Sequence, residues 1–194
     1  MKERKYATIL RELSLNDIRK SISLARKTKS GDYFDVYLQM LNFVKKCRPN
    51  SMEDFIGITH MVYGWMPTIL HLKLIKTDYK KLFNKIHNNK LTREDLLELK
   101  GMINNSMVGV SKFCHFVNPE SYAIWDSRVC SKVITKKAYE YIVNNVDNFI
   151  AYNNRLNELK NENMDYLIKE LGEKVKLSGK ETRLRILELG LFIR

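Results

Sequence analysis

Two residues of this 194-residue chain, Lys112 and Asp126, combine a reactive side chain with a sequence setting that can fix it in place. Lys112 stands at the predicted start of a short, largely apolar helix, where partial burial would lower the pKa of its amine and make it a nucleophile. Asp126 follows the apolar tripeptide 123–125 and precedes another helical run, so it is predicted to be a helix N-cap. A carboxylate at a helix start is fixed and kept ionised. A solvated lysine and a purely structural cap remain the alternatives.

A tight turn that contains a glycine precedes Lys112. A capped helix is predicted over 92–104, and after the turn a second short helix is predicted to begin near Ser111 and to stop before Pro119. Gly109 suits a left-handed backbone conformation or a close approach. Backbone N–H groups of such a hairpin bind a phosphate without a charged side chain. This predicts phosphate contacts at Val108, Gly109, Val110 and Ser111.

The charge of the chain favours a polyanionic partner. There are 34 Lys+Arg against 22 Asp+Glu, a formal net charge of +12. Residues 1–30 carry nine basic and three acidic residues, and residues 71–90 carry six lysines and one acid. Such a surplus favours nucleic acid first and an anionic membrane second, although charge that only maintains solubility remains the alternative.

Composition also excludes several classes of protein. The hydrophobic fraction of 44% is too high for a disordered chain, and no apolar run approaches the length that spans a bilayer. The three cysteines lack CxxC spacing and are expected to be buried thiols in a reducing cytoplasm. No set of residues has metal-ligand spacing, and no Gly-rich nucleotide loop is present, so we expect neither a metal nor another cofactor. The start of the sequence lacks an apolar signal region, and a cytoplasmic monomer is expected.

The hydrophobic pattern predicts helices almost throughout. A capping-box-like start stands at Ser14, and further helix starts are predicted at Ser51 and Thr92, with apolar residues following each at helical spacing. No stretch alternates as a strand would, so we expect no substantial sheet. The prediction is one compact all-α unit over residues 1–194 with about eight to ten helices.

The segment from the turn to Asp126 resembles the helix-hairpin-helix DNA glycosylases, especially their 8-oxoguanine glycosylase-like branch. Residues 107–112 (MVGVSK) are similar to the hairpin and lysine of that family, and residues 123–126 (AIWD) to the segment with its essential aspartate. Ser111 stands where the family usually has a second glycine. The resemblance implies a two-lobed helical bundle, a helix-hairpin-helix at about 92–118 followed by the Asp126 loop, and a cleft between the lobes.

The resemblance also implies an activity on double-stranded DNA. The enzyme would excise a damaged or modified base after flipping it out of the duplex, with an 8-oxoguanine-like purine as the family default. Asp126 would stabilise positive charge on the sugar, and Lys112 would attack it to form the Schiff base of an AP lyase. Three side chains are candidates for the base pocket, namely Trp65, His115 and Trp125, although we favour a core position for Trp65 and His115.

Arginines at two places in the chain are further candidates. Arg128 is predicted to contact a phosphate or to pair with Glu120, and Arg183 and Arg185 on the last helix are predicted to face DNA or solvent. Two other functions remain open: a non-catalytic helix-hairpin-helix DNA-binding protein, and a helical protein that binds an acidic protein. The lysine and aspartate favour the enzyme, because a pure DNA binder needs neither a half-buried lysine nor a carboxylate near phosphates.

Overall fold

The fold of the described residues is all-α, as predicted. The computed structural model describes residues 12–27, 31–135 and 137–193, with the side chains of 31–35 excepted. Parts of the basic N-terminal stretch therefore lie outside the described residues. These residues contain no β-strand, and bridge residues occur singly, at Leu72 paired with Ile103 and at Ile134. Eleven helices are described: α1 Leu15–Leu24, α2 Gly31–Cys47, α3 Met52–Gly64, α4 Tyr79–His87, α5 Arg93–Met102, α6 Met107–Val117, α7 Ser127–Val133, α8 Glu140–Val143, α9 Val146–Leu159, α10 Asp165–Gly172 and α11 Arg183–Phe192.

Three predicted helix starts form capping boxes, of which the one at Ser14 was predicted as such. Ser14, Ser51 and Thr92 each accept from a backbone N–H three residues on, and the acidic residue there accepts from the backbone N–H of the cap. This exchange satisfies two backbone donors that a helix start would otherwise leave unpaired. The local sequence therefore determines where α1, α3 and α5 begin.

Helix α6 lies at the centre of the packing and carries Lys112. It contacts α2, α3, α4, α5 and α9. Nine of its residues are buried, so only Val108 and Lys112 keep partial access to solvent. A helix that is apolar on nearly all sides must be enclosed by others. Lys112 therefore lies on a helix that is almost completely shielded from solvent.

Helix α11 is the second buried element. All residues from Leu184 to Leu191 are buried, and the helix packs on α1, α7, α9 and α10. Among the described residues no helix combines the length and the apolar character that crossing a bilayer would require.

The cysteines divide between the interior and the surface. Cys114 and Cys130 are buried as expected, and burial raises the pKa of both thiols. Cys47, at the end of α2, is exposed, which corrects the expectation that all three are buried.

Candidate active site around Lys112 and Asp126

Lys112 lies in the second turn of α6, because this helix begins earlier than predicted. Its first residue is Met107, not a residue near Ser111, and Ser106 caps it by accepting from the N–H of Gly109 at 3.3 Å. The tight turn lies instead at Asn104 and Asn105, whose φ angles of 52° and 50° are left-handed. Asparagine tolerates this conformation better than most residues. The turn is thus displaced towards the N-terminus from the predicted position.

Gly109 serves close packing and not a left-handed turn. It is a helical residue, and a Cβ at this position would overlap the hydroxyl of Tyr63 on α3 and lie 2.9 Å from Cγ2 of Ile103. Of the two roles that the sequence left open, the structure selects the close approach. The glycine brings α6 against α3.

The amine of Lys112 is partly buried and electrostatically coupled to acidic groups. Burial lowers its pKa, and Arg185 lowers it further, whereas the carboxylates of Asp126 and Glu188 raise it. Burial is the largest of these effects because an ammonium ion loses hydration that the protein replaces only in part. Lys112 therefore loses its proton more readily than a solvated lysine, as the apolar sequence around it predicted.

Asp126 is the N-cap of α7, as predicted. Its Oδ1 accepts from the N–H of Val129 at 2.9 Å, and the side chain keeps partial access to solvent. This hydrogen bond fixes one carboxylate oxygen and orients the group. Asp126 lies close enough to Lys112 for its charge to act on the amine.

Ser111 ties the segment before Asp126 to the helix of Lys112. Its hydroxyl accepts from the N–H of Trp125 at 3.0 Å. The carbonyls of Val108 at 3.0 Å and Trp125 at 3.1 Å share the single hydroxyl proton. Ser111 is fully buried, so these bonds do not compete with water. The neighbour of Lys112 is thereby bonded to the neighbour of Asp126.

Helix α9 holds the same segment from the opposite side. The Asn153 amide accepts from the N–H of Ala123 at 2.8 Å, and the Tyr152 hydroxyl donates to the carbonyl of Ile124 at 3.0 Å. The indole N–H of Trp125 donates to the carbonyl of Val143 at 2.8 Å. The extended chain leading to Asp126 is therefore fixed on two sides, which is the preorganisation that a catalytic carboxylate needs.

A buried ion pair, Arg185 with Glu188, lies on α11 beside these residues. Both side chains are 1% exposed, and the guanidinium lies 4.6 Å from the centroid of the Tyr37 ring. Burial raises the pKa of Glu188 to about 7, although Arg185 opposes the shift. This location corrects the expectation that Arg185 faces DNA or solvent. Burying two charges is costly even when they are paired. Both charges act on the amine of Lys112.

His115 is a core residue with both ring nitrogens in use. Nδ1 lies 2.7 Å from the carbonyl of Tyr122, and a carbonyl can only accept, so Nδ1 carries the proton. Nε2 then accepts from the Tyr37 hydroxyl at 2.8 Å. Burial lowers the pKa of His115 to about 3, so the ring is neutral. Fully buried and saturated with partners, His115 is not a surface for a base, which corrects its candidacy for the pocket.

The two tryptophans differ in accessibility. Trp125 is fully buried with its N–H bonded, so its candidacy for a base pocket is also corrected. Trp65 is only partly buried, and it stacks against Tyr37 with ring centroids 6.1 Å apart. Its role in a base pocket stays a prediction.

The backbone amides of the predicted hairpin are largely occupied. The N–H of Met107 donates to Asn144 Oδ1, that of Gly109 to Ser106 Oγ, and that of Val110 to the Ser106 carbonyl. Gly109, Val110 and Ser111 are also buried, so the predicted phosphate contacts at these three are corrected: they belong to the helix interior. The phosphate contact predicted at Val108, which is partly exposed, stays a prediction.

Arg128 remains available at the surface. It is exposed at the start of α7, two residues from Asp126, and its guanidinium lies 5.0 Å from the centroid of the Phe192 ring. A predicted contact with a phosphate is compatible with this position.

Sequence reasoning missed Glu188 and Tyr37 as members of the site. The sequence contained a signal for Glu188. Apolar residues occur on all sides of α11, so a charged residue within this helix is expected to be buried with its partner. No such signal marked Tyr37. In the part of the chain that the structure describes, no three His, Cys, Asp or Glu residues form a group that could hold a metal ion.

Comparison with protein-family models, curated proteins and solved structures finds no significant match to this chain.

Proposed function

We propose that the chain is a helix-hairpin-helix DNA N-glycosylase with AP lyase activity, acting as a monomer on double-stranded DNA. The observation that carries the proposal is the pairing of a partly buried Lys112, whose pKa burial lowers, with an Asp126 fixed at a helix start. The two-lobed architecture with a cleft at this pair belongs to the same proposal.

The chemistry assigns one role to each side chain. As the glycosidic bond breaks, the carboxylate of Asp126 stabilises the positive charge that develops on the sugar. The neutral amine of Lys112 attacks C1′, and the base leaves with the electron pair of the glycosidic bond and takes one amine proton. The nitrogen lone pair then forms the C1′=N bond of a Schiff base as the C1′–O4′ bond breaks, and O4′ takes the second amine proton and becomes a hydroxyl. The resulting Schiff base permits elimination of the 3′ phosphate.

Two features of the site support catalysis over simple binding. A carboxylate next to a DNA backbone lowers affinity, because it repels phosphates. The buried Arg185–Glu188 pair costs desolvation energy that a binding surface would not require. Both features become useful when charge must be stabilised inside the protein.

Borohydride trapping on a panel of duplexes tests the proposal. The wild-type protein should release a base from at least one modified duplex and form a covalent adduct with it. Asp126→Asn should lose base release, and Lys112→Gln should lose the adduct, each by more than about 100-fold. Lys132→Gln, an exposed lysine on the helix that Asp126 caps, is the matched control and should retain both activities.

The variants separate the roles. A duplex with a preformed abasic site needs no base release, so Asp126→Asn should still be trapped on it. Undiminished trapping of Lys112→Gln would show that Lys112 is not the nucleophile that forms the Schiff base. DNA binding by the wild type without base release or trapping on any duplex would favour the non-catalytic DNA-binding protein.

A further inference from the structure

Two exposed tyrosines form a stacked pair away from Lys112. Tyr139 is 50% exposed and Tyr141 is 67% exposed. Their rings are nearly parallel, with an interplanar angle of 9° and centroids 5.9 Å apart. They flank Glu140, the first residue of α8, so the backbone at the start of this helix holds the two rings next to each other. Such large exposed aromatic faces are typical of binding surfaces.

Positive charge lies directly at this pair. The Lys137 ammonium lies 5.4 Å from the centroid of the Tyr139 ring. No acidic residue occurs in the sequence between Asp126 and Glu140. Aromatic faces next to lysines are the combination with which proteins bind unpaired nucleotides, because bases stack on the rings and phosphates meet the charge.

The tyrosines line an open depression of about 630 Å³. Its other walls come from Lys100 at the end of α5, Asn105 of the left-handed turn, and Glu140 and Asn144 of the α8 region. Asn144 also binds the first residue of α6, since its Oδ1 accepts from the N–H of Met107 at 3.1 Å. The depression is therefore joined rigidly to the helix that carries Lys112.

We propose that the depression at Tyr139 and Tyr141 binds an unpaired nucleotide of DNA, with its base stacked on the tyrosine rings and its phosphate next to Lys137 and Lys100. DNA is chosen over an acidic protein because two parallel ring faces match a planar base and the lysines match a phosphate. The inference rests on the proposed function for DNA as the partner, but not for any catalytic step.

Fluorescence anisotropy with an unmodified single-stranded oligonucleotide, such as a labelled oligothymidine, tests the proposal. Tyr139→Ala and Tyr141→Ala should each weaken binding by about 5- to 100-fold, the range found for a lost base–aromatic stack. Tyr139→Phe and Tyr141→Phe should bind like the wild type, because stacking needs no hydroxyl. Lys137→Gln should weaken binding less and reduce its salt dependence.

Tyr166 is a matched control. It is 36% exposed on α10, and the guanidinium of Arg19 lies 5.5 Å from its ring centroid, so it combines a ring with a cation. Among the described residues no second aromatic ring stacks on it. Tyr166→Ala should retain wild-type affinity.

Three results would overturn the stacking proposal: no binding of the single strand by the wild type, wild-type affinity in both alanine variants, or an equal loss in the phenylalanine variants. The borohydride assay distinguishes this failure from failure of the proposed function. Trapping at Lys112 together with wild-type affinity of both alanine variants would overturn the tyrosine proposal and support the proposed enzyme. Weaker binding by the alanine variants without trapping on any duplex would support the tyrosine proposal and overturn the proposed enzyme.

Discussion

The interior around Lys112 and the surface around Tyr139 and Tyr141 use the same kinds of side chain in opposite ways. In the interior, aromatic rings and hydrogen bonds enclose charges and hold them at fixed positions. At the surface, lysines lie beside exposed rings, and solvent screens them. The difference shows that burial, more than residue type, decides whether a charge can support chemistry or only attract a partner.

Two arginine–glutamate pairs make this comparison quantitative. Arg185–Glu188 on α11 and Arg155–Glu158 on α9 share the same three-residue spacing. The first pair is 1% exposed at both side chains, whereas the second is 35% and 65% exposed. The spacing of the two charges along the helix is therefore the same, and the surroundings differ.

Glu188→Gln should give the largest effect on stability. At pH 8 the carboxylate is ionised, and its removal leaves the buried Arg185 without a counter-charge, which should cost about 3–5 kcal/mol in urea denaturation. Glu158→Gln should cost less than about 1 kcal/mol, because its partner is solvated.

The loss for Glu188→Gln should grow by about 1 kcal/mol at pH 6. Burial raises the pKa of Glu188 to about 7, so between pH 8 and pH 6 the folded protein takes up a proton that the unfolded chain does not, and the wild type gains stability that the glutamine variant lacks. Equal losses for the two glutamine variants at pH 8 would contradict the contrast between interior and surface.

His115 should make the protein sensitive to acid. In the folded state its pKa falls to about 3, whereas the unfolded chain takes up a proton near the ordinary value of 6.5. Below that value the unfolded state binds more protons, so stability falls as the pH falls. At about pH 4.5 this should cost about 2 to 3 kcal/mol relative to pH 7.

His115→Gln should lack that part of the pH dependence, measured as the difference in unfolding free energy between the two pH values. His60→Gln is the exposed control and should show the wild-type difference. An unchanged pH dependence in His115→Gln would show that the ring is not held neutral in the core.

Gly109→Ala should give a smaller loss of about 1–3 kcal/mol, because the added methyl group overlaps Tyr63 and Ile103. Gly57→Ala is the matched helical control: nothing lies within 4 Å of its Cβ position, so the higher helix propensity of alanine should stabilise the protein by up to about 1 kcal/mol. Thermal unfolding measures both. The same sign for the two variants would argue against close packing of α6 on α3.

The helix starts were predictable from sequence because capping is local. Ser14, Ser51, Thr92 and Asp126 each find their partner three residues on, within the same segment. The start of α6 was not predictable, because its Val-Gly-Val run has low helix propensity and a glycine at this point is typical of a turn. Packing of Gly109 against Tyr63 compensates for this propensity, and that contact is distant in sequence.

The site itself was predictable only in part. The apolar neighbours of Lys112 indicated its burial, and the pattern around Asp126 indicated its cap. Its supports were not predictable, because Ser111, Tyr152 and Asn153 act through contacts that join separate helices. The burial of Arg185 and Glu188 was indicated only by the apolar residues around them in α11, and a charged pair at this spacing usually faces solvent.

The most direct test of the central claim is to locate the trapped adduct. After borohydride reduction of the protein with an abasic duplex, peptide mass spectrometry should find the sugar remnant on Lys112, and Lys132→Gln should give the same peptide. Attachment to any other lysine, or equal trapping of Lys112→Gln, would contradict the account.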